Sequence, residues 1–207
     1  MREHLSLLKE FLRSASFRRS LTSSALGLII FVLMGFISYL TNPTMGDELI
    51  AQFVDMVTES GVVDIETGEI SVFMLLQNNW MAMLIVIIYG LLPFLQFPVI
   101  SLFSNGVLLG VMGGLYWVSD EMSMSLFLAS LLPHAVFELT ALVLAVACGM
   151  YLCRNVTRWI TRKGERPIMT EVYSDLLRVL LFMIAPLTVI AAFVEVYVTP
   201  SVQTLFL

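Results

Sequence analysis

Charged residues are scarce in this chain, and their scarcity decides which class of protein it can be. Asp, Glu, Lys and Arg make up 13% of the 207 residues, whereas 58% are hydrophobic and the mean hydropathy is +0.91. Soluble domains carry about 25% charged residues, so the composition excludes a soluble enzyme domain. It predicts an all-α fold, a polytopic integral membrane helical bundle, because a helix satisfies its own backbone hydrogen bonds in lipid.

Cysteine is also rare. The two cysteines, Cys148 and Cys153, fall in one apolar run and lie on different faces of the helix predicted there. A disulfide framework is therefore excluded, and the spacing typical of a metal site is absent. On these grounds the sequence predicts neither a cofactor nor a metal site.

Lys and Arg are missing from most of the chain. All 11 lie within residues 1–20 and 154–178, while residues 41–71 hold seven acidic residues and no basic one. The apolar runs allow five crossings at about 20 residues each. Because five is odd, the two basic segments lie on the same side, and the positive-inside rule makes that side cytoplasmic. We therefore predict a multi-pass protein of the cell membrane, with the N-terminus in the cytoplasm and the C-terminus outside.

The predicted organisation follows these runs. Leu5, Leu8 and Leu12 share one helical face, which is typical of a helix lying in the membrane interface. The next apolar run is too long for the core of a signal peptide. The predicted segments are residues 1–20, a cytoplasmic amphipathic interfacial segment; residues 21–40, transmembrane helix 1; residues 41–71, an acidic outer loop; and residues 72–207, a four-helix membrane core with a basic cytoplasmic loop at 154–178.

Small residues at a spacing of four predict close packing between helices. Residues 72–118 contain no charge and are long enough to cross the membrane twice. The second crossing carries two overlapping GxxxG spacings, and the next helix carries a stripe of small residues, so we expect these two sets to pack together. The predicted packing residues are Gly106, Gly110 and Gly114 on one helix and Ala141, Ala145 and Gly149 on the other.

A polar motif interrupts the apolar run from Met124 to Cys153. His134 and Glu138 are four residues apart, so they share a helix face. An ionised acid near the bilayer midplane costs about 3 kcal/mol on insertion scales, and Glu138 must therefore have a protein partner or be neutral. The predicted intramembrane polar cluster consists of Asn78, Asn79, Asn105, His134, Glu138 and Glu195. Within it we expect His134 to meet Glu195 or the two adjacent asparagines, and Glu138 to meet Asn105 or a backbone group.

Two interpretations of this cluster are open. In the first, the residues hydrogen-bond to one another between helices and fix the packing of a scaffold. In the second, they form the proton or ion path of a small transporter or channel element. The chain lacks the His-Glu-x-x-His pair of metallopeptidases and a nucleophile spaced to meet a base. The sequence thus predicts no catalytic residue, and we expect the protein not to be an enzyme.

Several of these motifs together resemble the stage II sporulation protein M family of prokaryotic membrane proteins. The resemblance covers residues 78–200 in consistent order. It departs at Ala135, where the family usually has glycine for a close backbone approach. The matching motifs are Asn78-Asn79, Gly90, Asn105-Gly106 with Gly110, Pro133-His134 with Phe137-Glu138, and Ala191 to Glu195 followed by Thr199-Pro200.

The resemblance implies five helices and a non-enzymatic role. The namesake of the family is a membrane scaffold that works with peptidoglycan-degrading proteins during sporulation. We accordingly expect a scaffold for cell-envelope remodelling or a sporulation-like complex, with the lipid bilayer and other membrane or envelope proteins as partners, peptidoglycan-degrading enzymes among them. A homo-oligomer is an open alternative, and we expect no nucleic acid partner.

Overall fold

The computed structural model describes residues 2–62, 70–120, 123–162 and 166–206, and almost all of them are helical. Among these residues, five helices are long and apolar enough to cross a membrane, which confirms the predicted all-α bundle. Two π-helical turns, Leu180–Ile184 and Val194–Val198, join the last three helices into one continuous rod, the C-terminal helix. The helices are α1 (Arg2–Arg13), α2 (Ala15–Thr41), α3 (Pro43–Glu59), α4 (Val72–Ile88), α5 (Pro98–Val118), α6 (Met124–Thr161), α7 (Met169–Val179), α8 (Ala185–Phe193) and α9 (Thr199–Gln203).

The first membrane helix starts earlier than the hydrophobic run suggests. α2 begins at Ala15, and the Ser14 hydroxyl caps it by accepting a hydrogen bond from the Phe17 backbone N–H at 3.4 Å. The preceding α1 buries Leu8 and Phe11, and the Phe11 ring lies 4.5 Å from that of Phe17. Apolar contacts thus hold α1 against the end of the bundle at which α2 begins.

α6 is the centre of the bundle. It is 38 residues long and packs against α2, α4, α5 and the C-terminal helix. Its stretch from Ala141 to Cys148 is apolar and almost completely buried. Pro133 lies inside the helix without ending it, and because proline has no N–H, the carbonyl of Ala129 loses its usual partner.

The predicted partner of the α5 glycines is wrong: they pack against α2 and not against the small residues of α6. A Cβ atom on Gly110 would collide with the backbone carbonyl of Val32 in α2, and one on Gly35 in α2 would collide with the carbonyl of Val107 in α5. A Cβ atom on Gly106 would lie only 2.7 Å from the Phe31 Cβ, and one on Gly114 would lie 2.7 Å from the Tyr39 Cβ. The GxxxG spacing indicates close backbone approach but does not name the approaching helix, and α2 contributes its own glycine to the contact.

The small stripe of α6 contacts both α4 and the start of α5 near Gly149, where an added Cβ would lie 2.6 Å from Pro98 Cγ of α5. A Cβ on Gly149 would lie 2.7 Å from the Val86 carbonyl oxygen, and Gly90 faces the Gly149 backbone. The Cys153 thiol donates to the Leu92 carbonyl oxygen at 3.2 Å. Later residues on the α4 side contact later residues of α6, so the two helices run parallel.

The acidic segment between the first two membrane helices contains a helix, α3, which is capped by Asn42 and begins with Pro43. Its first turns rest on α2, where Gly46 contacts the Tyr39 ring and the Tyr39 hydroxyl donates to Asp47 Oδ1 at 3.0 Å. Beyond that contact most of its side chains are exposed. α3 is therefore fixed at one end of the bundle and open along most of its length.

Candidate functional site

The polar cluster lies where α6 meets the C-terminal helix. His134 and Glu138 occupy successive turns of α6, and Glu195 and Thr199 are likewise four residues apart on the other helix. Glu195 belongs to the π-helical turn Val194–Val198. π-helical turns inside α-helices are frequent at functional sites. The two helices run antiparallel, so the pairs face each other in reverse order.

Three ionisable side chains converge at this junction. One ring nitrogen of His134 and one carboxylate oxygen each of Glu138 and Glu195 all lie within 4.8 Å of one another. All three residues are partly buried, with a share of each side chain still exposed at the rim of the bundle. The structure thus brings together His134 and Glu195, which are 61 residues apart in sequence.

Thr199 orients the imidazole. Its Oγ1 lies 3.3 Å from His134 Nδ1 and donates its own proton to the Val194 carbonyl oxygen at 3.2 Å. Because that proton is in use, the hydroxyl accepts from Nδ1–H, and Nε2 keeps its lone pair. Sequence reasoning missed Thr199 as a site residue. Its position four residues after Glu195, the same step that separates His134 from Glu138, was the available signal.

The three asparagines behave differently from one another. Asn79 is buried at 7% exposure, and its Nδ2 has no hydrogen-bond partner among the described residues. Asn78, its neighbour, is exposed. Asn105 is also exposed and donates to the Ser101 carbonyl oxygen of its own helix at 2.8 Å. The expected pairing of Asn105 with Glu138 is therefore wrong, because an amide side chain can satisfy itself on the carbonyl four residues earlier.

No lysine or arginine neutralises the two glutamates within the part of the chain that the structure covers. The ion pair it contains, Arg178 with Asp175 at 2.6 Å, lies on α7. All 11 basic residues belong to residues 1–20 and 154–178, away from the cluster along both helices. Two carboxylates close together in a low-dielectric setting repel each other unless a proton or a cation is present. The cluster is thus suited to hold either one.

The polar character does not continue inward along α6. One and two turns below Glu138, Ala141 and Ala145 are fully buried, and Val146, Ala147 and Cys148 are fully buried as well. On the C-terminal helix the buried Thr188 donates to the carbonyls of its own helix, Ile184 and Ala185. Apolar packing therefore closes the cluster on its inner side.

These features define a polytopic helical membrane protein with a histidine and two glutamates paired across two of its helices. The family model described as Stage II sporulation protein M matches residues 24–200, and the chain belongs to this family. A relative in the archaeon Methanocaldococcus jannaschii, itself named an uncharacterized protein, is 34% identical over 133 residues, which is 64% of this chain and 73% of the relative. No solved structure matches the chain.

Proposed function

We propose that this family member is a non-enzymatic membrane scaffold that binds another cell-envelope protein through α3. The observation that carries the proposal is the outer surface of this helix. Val54 and Met56 are 54% and 59% exposed, and Asp55 and Glu59 beside them are exposed too. A helix outside the lipid that leaves apolar side chains in water indicates a surface for a protein partner.

The charge of the outer loop indicates what kind of partner would bind. Residues 41–71 contain seven acidic residues and no Lys or Arg. Such a surface attracts a positively charged protein surface and repels the acidic headgroups of lipids. We infer a partner with a basic, extracytoplasmic binding face. A peptidoglycan-degrading enzyme is the candidate class that the family resemblance suggests.

The proposed orientation has the N-terminus in the cytoplasm and the C-terminus outside. It is supported by a small cavity of about 30 Å³ lined by Arg19, Arg154 and Arg158. Arg154 is close enough to the other two for mutual repulsion and donates to the Ser16 carbonyl oxygen at 3.4 Å. Three guanidinium groups around one cavity suit the phosphate of an anionic lipid, and such basic pockets are typical of the cytoplasmic leaflet.

Photocrosslinking in intact cells tests the scaffold. A photoreactive amino acid at Val54 or Met56 should capture a protein of the outer face, whereas the same group at Val136, exposed on the lipid side of α6, should not. Asp55→Asn with Glu59→Gln should weaken the capture. Glu3→Gln with Glu10→Gln, an equal charge change on the exposed surface of α1, should leave it intact. Capture of the same proteins from all three sites would contradict the proposal.

A proton-linked transporter or channel element is the second candidate, and the convergence of His134, Glu138 and Glu195 favours it. The buried apolar stretch from Ala141 to Cys148 speaks against it, because a proton path would have to continue there. In proteoliposomes, transport predicts a proton or ion flux that Glu138→Gln abolishes without lowering protein abundance. A scaffold predicts no flux above that of empty liposomes.

A further inference from the structure

We propose that His134, Glu138 and Glu195 bind one divalent cation of the first transition row, such as Zn²⁺ or Mn²⁺. The cation would tie α6 to the C-terminal helix in the outer half of the bundle. Its role would be structural, whether or not α3 binds a partner.

The donor set fits such an ion. Imidazole nitrogen and carboxylate oxygen are the ligands that Zn²⁺ and Mn²⁺ share, and sites with three protein ligands leave a position for water. Ligand atoms at about 2.1 Å from one tetrahedrally coordinated metal ion lie about 3.4 Å apart. The three donor atoms lie within 4.8 Å of one another. Small rotations of two flexible glutamate side chains supply the difference.

The hydrogen bonds behind His134 also fit a metal site. Ligating histidines in metal sites donate their other ring N–H to an oxygen acceptor, which fixes the tautomer. His134 does this through Nδ1 to the Thr199 hydroxyl, and that hydroxyl is held in turn by its bond to the Val194 carbonyl. Thr199 is only 5% exposed, so water competes little for this bond. The lone pair of Nε2 is thereby left free for a ligand.

The charge of the site matches a divalent ion. The imidazole is neutral in the tautomer that Thr199 selects, so two ionised glutamates would bring two negative charges. Across the described chain the basic residues lie elsewhere, in residues 2–19 and 154–178. A divalent cation cancels both charges and contacts all three donors at once, whereas a single shared proton joins only two of them.

Metal binding to purified protein without a polyhistidine tag tests the site. After chelator treatment, Zn²⁺ or Mn²⁺ should raise the melting temperature of the wild type and bind at about one ion per chain by mass spectrometry of the metal content. Glu195→Gln and His134→Gln should lose both effects. Glu59→Gln removes an exposed carboxylate on α3, and His4→Gln removes the other histidine of the chain, so these controls should respond like the wild type.

The Thr199→Val variant keeps the test decisive even if the variants that lack a metal ligand fail to fold. This change leaves all three donors in place and should weaken metal affinity by about 10- to 100-fold, as the loss of a hydrogen-bond partner behind a metal-binding histidine does. Visible absorption of bound Co²⁺ in the wild type gives a readout that does not depend on stability. Absence of Co²⁺ absorption and of any metal-dependent shift in the wild type would overturn the site. So would an equal shift in Glu195→Gln, and so would a melting temperature that follows pH but not metal.

Discussion

His134 of α6 and Thr199 of the C-terminal helix are joined by a 3.3 Å contact between Nδ1 and Oγ1, and this contact sets the register of the two helices. It places Glu138 opposite Glu195 one turn further in, because both pairs are four residues apart. The stability of this junction can be measured separately from any ligand.

Thr199→Val should destabilise the metal-free protein by about 1 kcal/mol, since it removes a buried hydrogen-bond partner from His134 while keeping the volume of the side chain. Unfolding in detergent with chelator present measures this. Thr204→Val is the matched control, because Thr204 is exposed near the end of the same helix. Equal unfolding free energies for the two variants would show that the bond contributes nothing.

Gly110→Ala should destabilise the bundle by about 1–3 kcal/mol, because the added methyl group collides with the backbone of α2 and forces the helices apart. Gly113→Ala makes the same change on the same helix, but its Cβ would meet the Phe127 ring at 3.6 Å, an ordinary contact. We expect Gly113→Ala to be neutral or slightly stabilising, since alanine favours a helix by up to about 1 kcal/mol over glycine. Thermal unfolding of both variants measures the difference. A lower melting temperature for Gly113→Ala than for Gly110→Ala would contradict the α2–α5 contact.

Cysteine labelling tests the proposed orientation. The native Cys148 and Cys153 are buried, so the background should be low. Cysteines at the exposed positions Ser60 and Thr204 should react with an impermeant reagent in intact cells, while one at Thr161 should react only after lysis. Labelling at Thr161 in intact cells would reverse the topology.

Anionic lipid should stabilise the protein through the arginine cavity. Phosphatidylglycerol should raise the melting temperature in nanodiscs above that in phosphatidylcholine, because its net negative charge complements the three guanidinium groups. Arg154→Gln with Arg158→Gln should reduce this difference. Arg13→Gln with Arg162→Gln removes two exposed arginines that do not line the cavity and should preserve it. Inorganic phosphate added without anionic lipid separates recognition of phosphate alone from recognition of the lipid.

Hydropathy and charge predicted the number of crossings because both signals are local: a run of about 20 apolar residues is visible without knowing its neighbours. The helical period likewise put His134 and Glu138 on one face. The identity of a neighbouring helix is not local. The GxxxG spacing of α5 predicts a close contact with another helix. Only the fold shows that this helix is α2, with Gly35 at the contact.

The polar residues show the same limit. Asn105 lies in a family-like motif, but its side chain is exposed and donates to the Ser101 carbonyl oxygen of its own helix. A side chain that can satisfy itself locally carries no sequence signal of its partner. The π-helical turn that carries Glu195 was equally hidden, because nothing in the apolar run around it distinguishes that turn from an ordinary α-helix.

The contact between Gly110 and the backbone of Val32 also constrains how the protein is made. α5 leaves the ribosome only after α3 and α4, so α2 enters the membrane well before its glycine-lined partner exists. Until then the backbone groove around Gly35 is filled by lipid chains or by the insertion machinery. The pairing of α5 with α2 is therefore an exchange, in which α5 displaces that temporary occupant.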